Sequence, residues 1–275
     1  MTPWDSWIGR ETTARDTLTA GLVARFKAAL DTEQSLGIHW CLCVPDTPTA
    51  ALGADGHPQR GLDLPPIPLA RRMWAASDVA FHAPLLPGAA ITRRSVITAI
   101  TAKTGATGPL VFVEIAHETH ADGRLAVTEC QTLVYRGAAI AAAAAPAAAD
   151  TARWDWHRDI IPDTALLFRH AALTFNSHRI HYDLSYATAV EGYRGLVVQG
   201  PLTASLLLDL AAQGVGADRI AGLKFRGTSP AIAGEPLMLC GRADNDAITL
   251  RAGNATGAVM TATATLRLAG TGAAR

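Results

Sequence analysis

The stretch FNSHRIHYD, residues 175–183, sets Asn176, His178, Arg179 and His181 among apolar and aromatic neighbours. These side chains divide by the chemistry open to them. A neutral imidazole takes up and returns a proton near pH 7, so His181 is a candidate acid–base group. A carboxamide has no proton to exchange, and Asn176 can only orient a water by donating and accepting hydrogen bonds. A guanidinium grips a carboxylate through two parallel hydrogen bonds, which suits Arg179, with His178 beside it, to an anionic part of a ligand. Further along, GLVVQGPLTASLLLDL places Gly200 directly before Pro201. Proline fits the first helical position, where its missing N–H is not needed. The Gly200 N–H then lies at the positive end of a helix, free to meet an anionic oxygen, and glycine admits close approach. Losing such a donor costs about 3–4 kcal/mol in enzymes that rely on one.

The elements that would carry these groups can be read from periodicity. Leu18, Leu22, Phe26 and Leu30 recur every four residues and predict an amphipathic helix. A shorter helix is expected over 163–175. A third, over 201–213 with Leu202, Ser205, Leu206 and Leu210, is apolar all round and must be buried. Strands are predicted over 94–102, 110–118, 124–136, 235–243, 247–253 and 258–268, rich in β-branched residues and divided by Gly, Asp and Asn turns. A curved antiparallel sheet wrapped around the apolar helix would bury it.

The chain also repeats itself. RFKAALDTEQSLGIHW (25–40) aligns with FRHAALTFNSHRIHY (168–182), pairing Ala28-Ala29-Leu30 with Ala171-Ala172-Leu173 and Ile38-His39-Trp40 with Ile180-His181-Tyr182. Phe81, Pro84 and Gly88 parallel Phe225, Pro230 and Gly234 in the same order. Duplication explains the shared order. It divides the chain into residues 1–137, an Ala-rich linker over 138–152, and residues 153–275. Where the second copy has its apolar helix, the first has GADGHPQRGLDLPPIPLA (53–70), in which Pro65, Pro66 and Pro68 forbid a helix interior. The first copy is therefore degenerate and one working site is expected. His39, the counterpart of His181, is expected to be a vestige or a packed residue.

Asn176-x-His178-Arg179-Ile180-His181, followed by YATAVEGYRGLVVQGPLTASLLLDL, resembles the hydratase motif of the MaoC-like, (R)-specific enoyl-CoA hydratases and dehydratases. RRMWAASDVAFHAPLLPG (71–88) resembles the double hot-dog subgroup with a FAS1-type dehydratase region, which includes mesaconyl-C4-CoA (3-methylfumaryl-CoA) hydratases. The resemblance implies an α+β double hot-dog, two curled antiparallel sheets each around a helix. It implies reversible hydration of an α,β-unsaturated acyl-CoA, with mesaconyl-C4-CoA and citramalyl-CoA as the expected pair. His181, Asn176 and Gly200 would be catalytic; Arg179, His178 and Gln199 would bind substrate. No metal and no cofactor is implied beyond the coenzyme A of the substrate. Asn176 stands where the wider family has Asp, Arg179 for Pro and Gln199 for His. Acid–base work, worth ~10²–10⁴-fold, must then concentrate on His181 or recruit another group. A 3-hydroxyacyl-thioester dehydratase acting on CoA or acyl carrier protein and an itaconyl-CoA hydratase remain open. So do a hot-dog thioesterase using Asp183 or Glu191 and a non-catalytic acyl-CoA-binding module.

Of the 275 residues nearly half are hydrophobic and 17% charged, with a formal net charge of zero. That balance argues against a nucleic-acid partner. The longest apolar run is interrupted by Gln199, Pro201 and Asp209 and does not suit a membrane. The opening MTPWDSWIGRETTARD is too polar for a signal peptide, so a cytoplasmic location is expected. Cys41, Cys43, Cys130 and Cys240 are expected as buried thiols, and His117 and His120 as surface residues rather than metal ligands. Trp154 and Trp156 are expected to pack the linker onto the second half. Arg71, Arg72, Arg93 and Arg94 suit either CoA phosphates or exposed strand edges. Association into a homodimer is left open.

Overall fold

Among the described residues, alternating β-branched sequence builds ten strands, and all join one antiparallel sheet in the order β1-β3-β4-β5-β2-β7-β10-β9-β8-β6. The computed structural model describes residues 2–105, 108–137 and 154–267, so the Ala-rich 138–152 segment lies outside the described residues. The first half comprises β1 (Glu11–Thr17), α1 (Ala20–Leu30), β2 (Arg71–Phe81), β3 (Ala90–Gly105), β4 (Gly108–Ala121) and β5 (Arg124–Arg136). The second comprises β6 (Trp156–Ile160), α2 (Thr164–Leu173), α3 (Gly200–Val215), β7 (Ile220–Gly227), β8 (Leu237–Asp244), β9 (Ala247–Asn254) and β10 (Gly257–Leu266). Counted from its outer edge, each half places its first strand beside its third, then its fourth, fifth and second. The repeat seen in the sequence is thus a repeat of topology. The halves meet edge to edge through β2 and β7, from Ala76 opposite Arg226 to Ala80 opposite Gly222. The seam needs glycine at 222, where a Cβ would lie 2.5 Å from the Val79 carbonyl oxygen.

Local signals set the helix ends. Thr19 caps α1 by accepting the Leu22 N–H at 3.0 Å, and Asp163 caps α2 by accepting the Leu166 N–H at 2.8 Å. Gln199 precedes α3 without capping it; Pro201 occupies the first turn. Every side chain from Leu202 to Ala212 on α3 is buried, against β7, β8, β9 and β10. Its leucines each contribute about 1.5–3 kcal/mol of burial, which outweighs any weakness at the uncapped start. One carboxylate lies in this apolar helix. Asp209 is tied by Arg158 of β6 at 2.6 Å, by Gln213 at 2.9 Å and by the Thr32 hydroxyl of the first half.

In the first half no helix corresponds to α3. Residues 31–70 hold only short 3₁₀ turns at Ile38–Cys41 and Thr49–Ala51 among the described residues. Part of this segment runs along α3, with Thr32 at Asp209 and Gly37 at Ser205. Its proline-rich end lays Leu64, Ile67 and Leu69 over Ile97, Val113, Leu133 and Tyr135. The structure adds β1, β2, β6 and β7 to the predicted strands. Trp156 opens β6 and packs against Gly214 of α3 in the second half, while the linker lies outside the described residues. Cys41, Cys43 and Cys240 are buried but Cys130 is exposed, because alternation along β5 turns it to solvent. His117 and His120 lie within β4, which runs on to Ala121, and are half-buried instead of exposed. His117 bonds to the Ser95 hydroxyl at 2.7 Å. No described helix is long and apolar enough to cross a membrane.

Candidate active site

The segment after α2 folds by short-range hydrogen bonds. Phe175 takes the left-handed conformation at φ 47°, and the Asn176 side-chain oxygen Oδ1 then accepts the His178 N–H at 3.0 Å. This Asx turn commits Asn176 Oδ1 to the backbone and leaves its amide group to donate. Arg179–His181 form a single 3₁₀ turn with Ile180 and His181 buried. The turn is fastened to the approach to α3: Val197 N–H donates to the Ile180 carbonyl at 2.9 Å, and His181 Nδ1 lies 2.7 Å from the Val197 carbonyl oxygen. A carbonyl can only accept, so Nδ1 carries the proton and Nε2 presents its lone pair. Burial, reinforced by the nearby imidazole of His178, depresses the His181 pKa to about 3, so the ring is a neutral base at pH 7.

Val197 stands three residues before Gly200, so the bond that orients the imidazole also brings it to the start of α3. Gln199 does not cap that start. Its Nε2 donates to the Leu167 carbonyl at 3.0 Å and its Oε1 is buried without a partner. The Gly200 N–H, at the head of the helix, has no intrahelical acceptor.

Beside His181 stands a second imidazole, held by both halves. His178 Nε2 lies 3.2 Å from Glu191 Oε1, and Glu191 Oε2 lies 3.6 Å from Arg71 Nε on β2. The His178 ring meets His181 edge-on at 5.4 Å and stacks on His57 at 4.0 Å. His57 belongs to the first half, in the loop that docks on the 176–183 turn. Asp55 O accepts the Arg179 N–H at 2.9 Å, and Gly56 O accepts the Ser177 hydroxyl at 2.6 Å. Only glycine fits at 56: φ is +86°, and a Cβ would sit 1.9 Å from the Ser177 carbonyl oxygen. Burial lowers the His57 pKa to about 3 although Asp55, 3.3 Å from Nδ1, opposes the shift. Burial alone would raise the Asp55 pKa, but hydrogen bonds from the His57 ring and backbone hold it below the usual range. Ligating atoms of Asp55, His57 and His178 lie within 4.8 Å of one another. The two rings lie 4.0 Å apart with 36° between their planes.

A family model for hydroxyacyl-thioester dehydratase type 2 matches residues 37–233, which takes in the 53–58 loop, the 176–183 turn and α3. The chain belongs to this family. It is accordingly a hydro-lyase of the hydratase and dehydratase kind. The mesaconyl-C(4)-CoA hydratase of Chloroflexus aurantiacus is 40% identical over 97% of this chain and 98% of its own length. Among solved structures, a MaoC-like dehydratase from Phytophthora capsici superposes with a TM-score of 0.70 at 14% identity, covering 95% of this chain and 96% of that one. A Mycobacterium tuberculosis protein described as having a double hot-dog fold superposes with a TM-score of 0.57 at 16% identity, covering 94% of this chain and 98% of that one. These likenesses establish the double hot-dog fold, with the first half lacking the long helix.

The structure sorts the sequence-derived residues. It brings His181, His178 and the approach to Gly200 together, with Asn176 shaping the turn. Arg179 has other engagements: Nε and Nη2 pair with Asp183 at 3.0 and 2.7 Å, Nη1 donates to the Ala54 carbonyl at 3.1 Å, and the guanidinium lies 4.3 Å over Tyr186. It braces two loops. His39 is a packed residue, against Trp40 and Phe81 and 3.6 Å from the Glu129 carboxylate. Asp55, His57 and Glu191 were not picked out as partners of the imidazoles. Asp-Gly-His-Pro is a chemically loaded tetrapeptide, but nothing in its spacing says that it folds onto the other half.

Proposed function

We propose that the protein hydrates an enoyl-CoA bearing a distal carboxylate, mesaconyl-C4-CoA to citramalyl-CoA, and catalyses the reverse dehydration. The observation that carries the mechanism is the hydrogen bond from His181 Nδ1 to the Val197 carbonyl. It leaves Nε2 neutral and unprotonated on a turn tied to the approach to α3. A water oriented by Nε2 and the Asn176 amide gives a proton to Nε2 while its oxygen bonds to the β-carbon. The electron pair of the double bond moves toward the thioester carbonyl, whose oxygen is met by the Gly200 N–H and the helix dipole. His181 then returns the proton to the α-carbon on the same face, giving syn addition and leaving the thioester intact. Only side chains, backbone and substrate take part. The mesaconyl assignment is supported by the 40% identity, over nearly the full length, to a relative of that name. Buried thiols at Cys41, Cys43 and Cys240 suit a reducing, cytoplasmic setting.

The test is a panel of 3-methylfumaryl-, itaconyl- and crotonyl-CoA, followed by loss of enoyl absorbance and by thiol release. Hydration without thiol release is expected, fastest on 3-methylfumaryl-CoA. His181→Ala should lower turnover by ~10²–10⁴-fold while retaining acyl-CoA binding. A wild-type protein that leaves all three thioesters unchanged refutes the reading, and rapid thiol release replaces it with hydrolysis.

A further inference from the structure

The arginines differ in what they have left to offer a ligand. Arg71 is buried against Glu191. Arg93 donates to the Leu42 and Cys43 carbonyls. Arg94 faces Glu11 at 2.6 Å and Glu118 at 3.8 Å. Arg179 is committed to Asp183 and the Ala54 carbonyl. Arg72 has no carboxylate within ion-pair distance among the described residues. Arg72 is half-buried beside His57 and the buried Tyr135, whose hydroxyl it faces.

Arg72 lines a cleft of about 350 Å³ together with Gly53, Asp55, Gln59, Arg60 and Tyr186. Arg60 gives Nη1 and Nη2 to the Ile67 and Ala70 carbonyls, both at 2.9 Å, so it is fixed in place with its charge unmatched. The carboxylate in the wall, Asp55, already accepts from the His57 backbone at 3.0 Å and faces that ring at 3.3 Å. The other nearby carboxylate, Asp183, is paired with Arg179. Two guanidiniums thus face the cleft with no free counter-charge. The cleft adjoins the proposed catalytic group through contacts already described: Asp55 borders it and holds His57, which stacks on His178, which meets His181.

We propose that this cleft is an oxyanion subsite for the thioester substrate, with Arg72 as its gripping residue and Arg60 as a fixed background charge. The proposal rests on the hydratase reading above. The chemistry recognised is a planar or tetrahedral oxyanion held by a guanidinium fork, and a thioester offers it from two sources, the phosphates of coenzyme A and a distal carboxylate on the acyl chain. The volume lies within the range of small-molecule sites, so the cleft accommodates more than the bare anion.

The experiment compares wild type, Arg72→Gln and Arg72→Lys as full chains. The substrates are 3-methylfumaryl-CoA, crotonyl-CoA and the N-acetylcysteamine thioesters of both acids, which lack every phosphate. Loss of a charge-assisted contact should raise KM by about tenfold to a hundredfold, more than it lowers kcat, with partial recovery in Arg72→Lys. A rise confined to the two CoA esters assigns the phosphate, and a rise confined to the two dicarboxylic thioesters assigns the carboxylate. Either supports the subsite. An unchanged KM throughout, or an equal rise on the crotonyl N-acetylcysteamine ester, which carries neither anion, overturns it. If wild type hydrates none of the four, the hydratase reading has failed. Calorimetry with free coenzyme A and with mesaconate then decides the subsite separately: weaker binding of either by Arg72→Gln supports it, and no difference for both overturns it.

Discussion

Two imidazoles buried without a charged partner should make the fold acid-labile well above the range where carboxylates titrate. His170 and His181 are 2% and 8% exposed, and burial depresses them to about 4 and about 3. An unfolded histidine titrates near 6.5. The native pKa values lie below the unfolded one, so the unfolded chain binds protons first as pH falls. The stability these groups contribute is therefore complete above about pH 6.5 and is lost as pH drops toward 4 and 3. The slope approaches ~1.4 kcal/mol per pH unit for each ring, so moving from pH 7 to pH 5 removes roughly 2 kcal/mol per histidine and roughly 4 for the pair. Against a typical total of about 5–15 kcal/mol that is a large fraction. Urea unfolding followed by circular dichroism at pH 7, 6 and 5 measures it. His170→Leu provides the internal control. His170 Nδ1 has no partner, so an apolar side chain of similar size should be tolerated at pH 7 and should make the loss between pH 7 and 5 smaller by roughly 2 kcal/mol. A wild-type loss below about 1 kcal/mol, or an equal loss in the variant, would show that the rings are not held neutral by burial.

Two glycines give sharper tests of the site. Gly56→Ala forces a Cβ to 1.9 Å from the Ser177 carbonyl oxygen, so the 53–58 loop must leave the 176–183 turn; kcat/KM should fall at least about tenfold and the melting temperature should drop. Gly61→Ala shares the positive φ, +87°, with its nearest contact at an ordinary 3.7 Å, and should show the backbone strain without the loss of activity. At Gly200 a Cβ would meet nothing closer than the Trp74 carbonyl at 3.9 Å. Gly200→Ala should therefore keep stability within about 0.5 kcal/mol, while the methyl crowds the amide and lowers kcat/KM by ~10²-fold. Equal melting and equal activity would remove Gly200 from the mechanism.

The long, strongly patterned elements were legible in the sequence. The apolar all-round run of α3 demanded burial, and the β-branched runs of β3 to β5 and β8 to β10 announced themselves as strands. The duplicated Ala-Ala-Leu and Ile-His-aromatic triplets anticipated a shared topology. The missing strands were obscured by their surroundings. β1 and β6 are short edge strands with charged residues, and β2 carries two arginines and an aspartate in a strand paired on both sides. At the site, identity was readable but partnership was not. Arg179 sits four residues before Asp183, the spacing of a local brace, and that near pairing prevailed over a distant ligand. His57 and Asp55 could not be linked to His178, because their contact depends on how the two halves meet and not on any local pattern.

The loop that ends at Pro58 gives the arrangement a genetic consequence. Inheritance of the reaction cannot be assigned to the C-terminal copy alone, since the N-terminal copy supplies the wall behind its histidines. A lesion at Gly56 would score in a screen as a fault of turnover, although it maps to the copy that does not contain His181. Swapping either copy for that of a distant relative should fail unless the two loops are exchanged as a set.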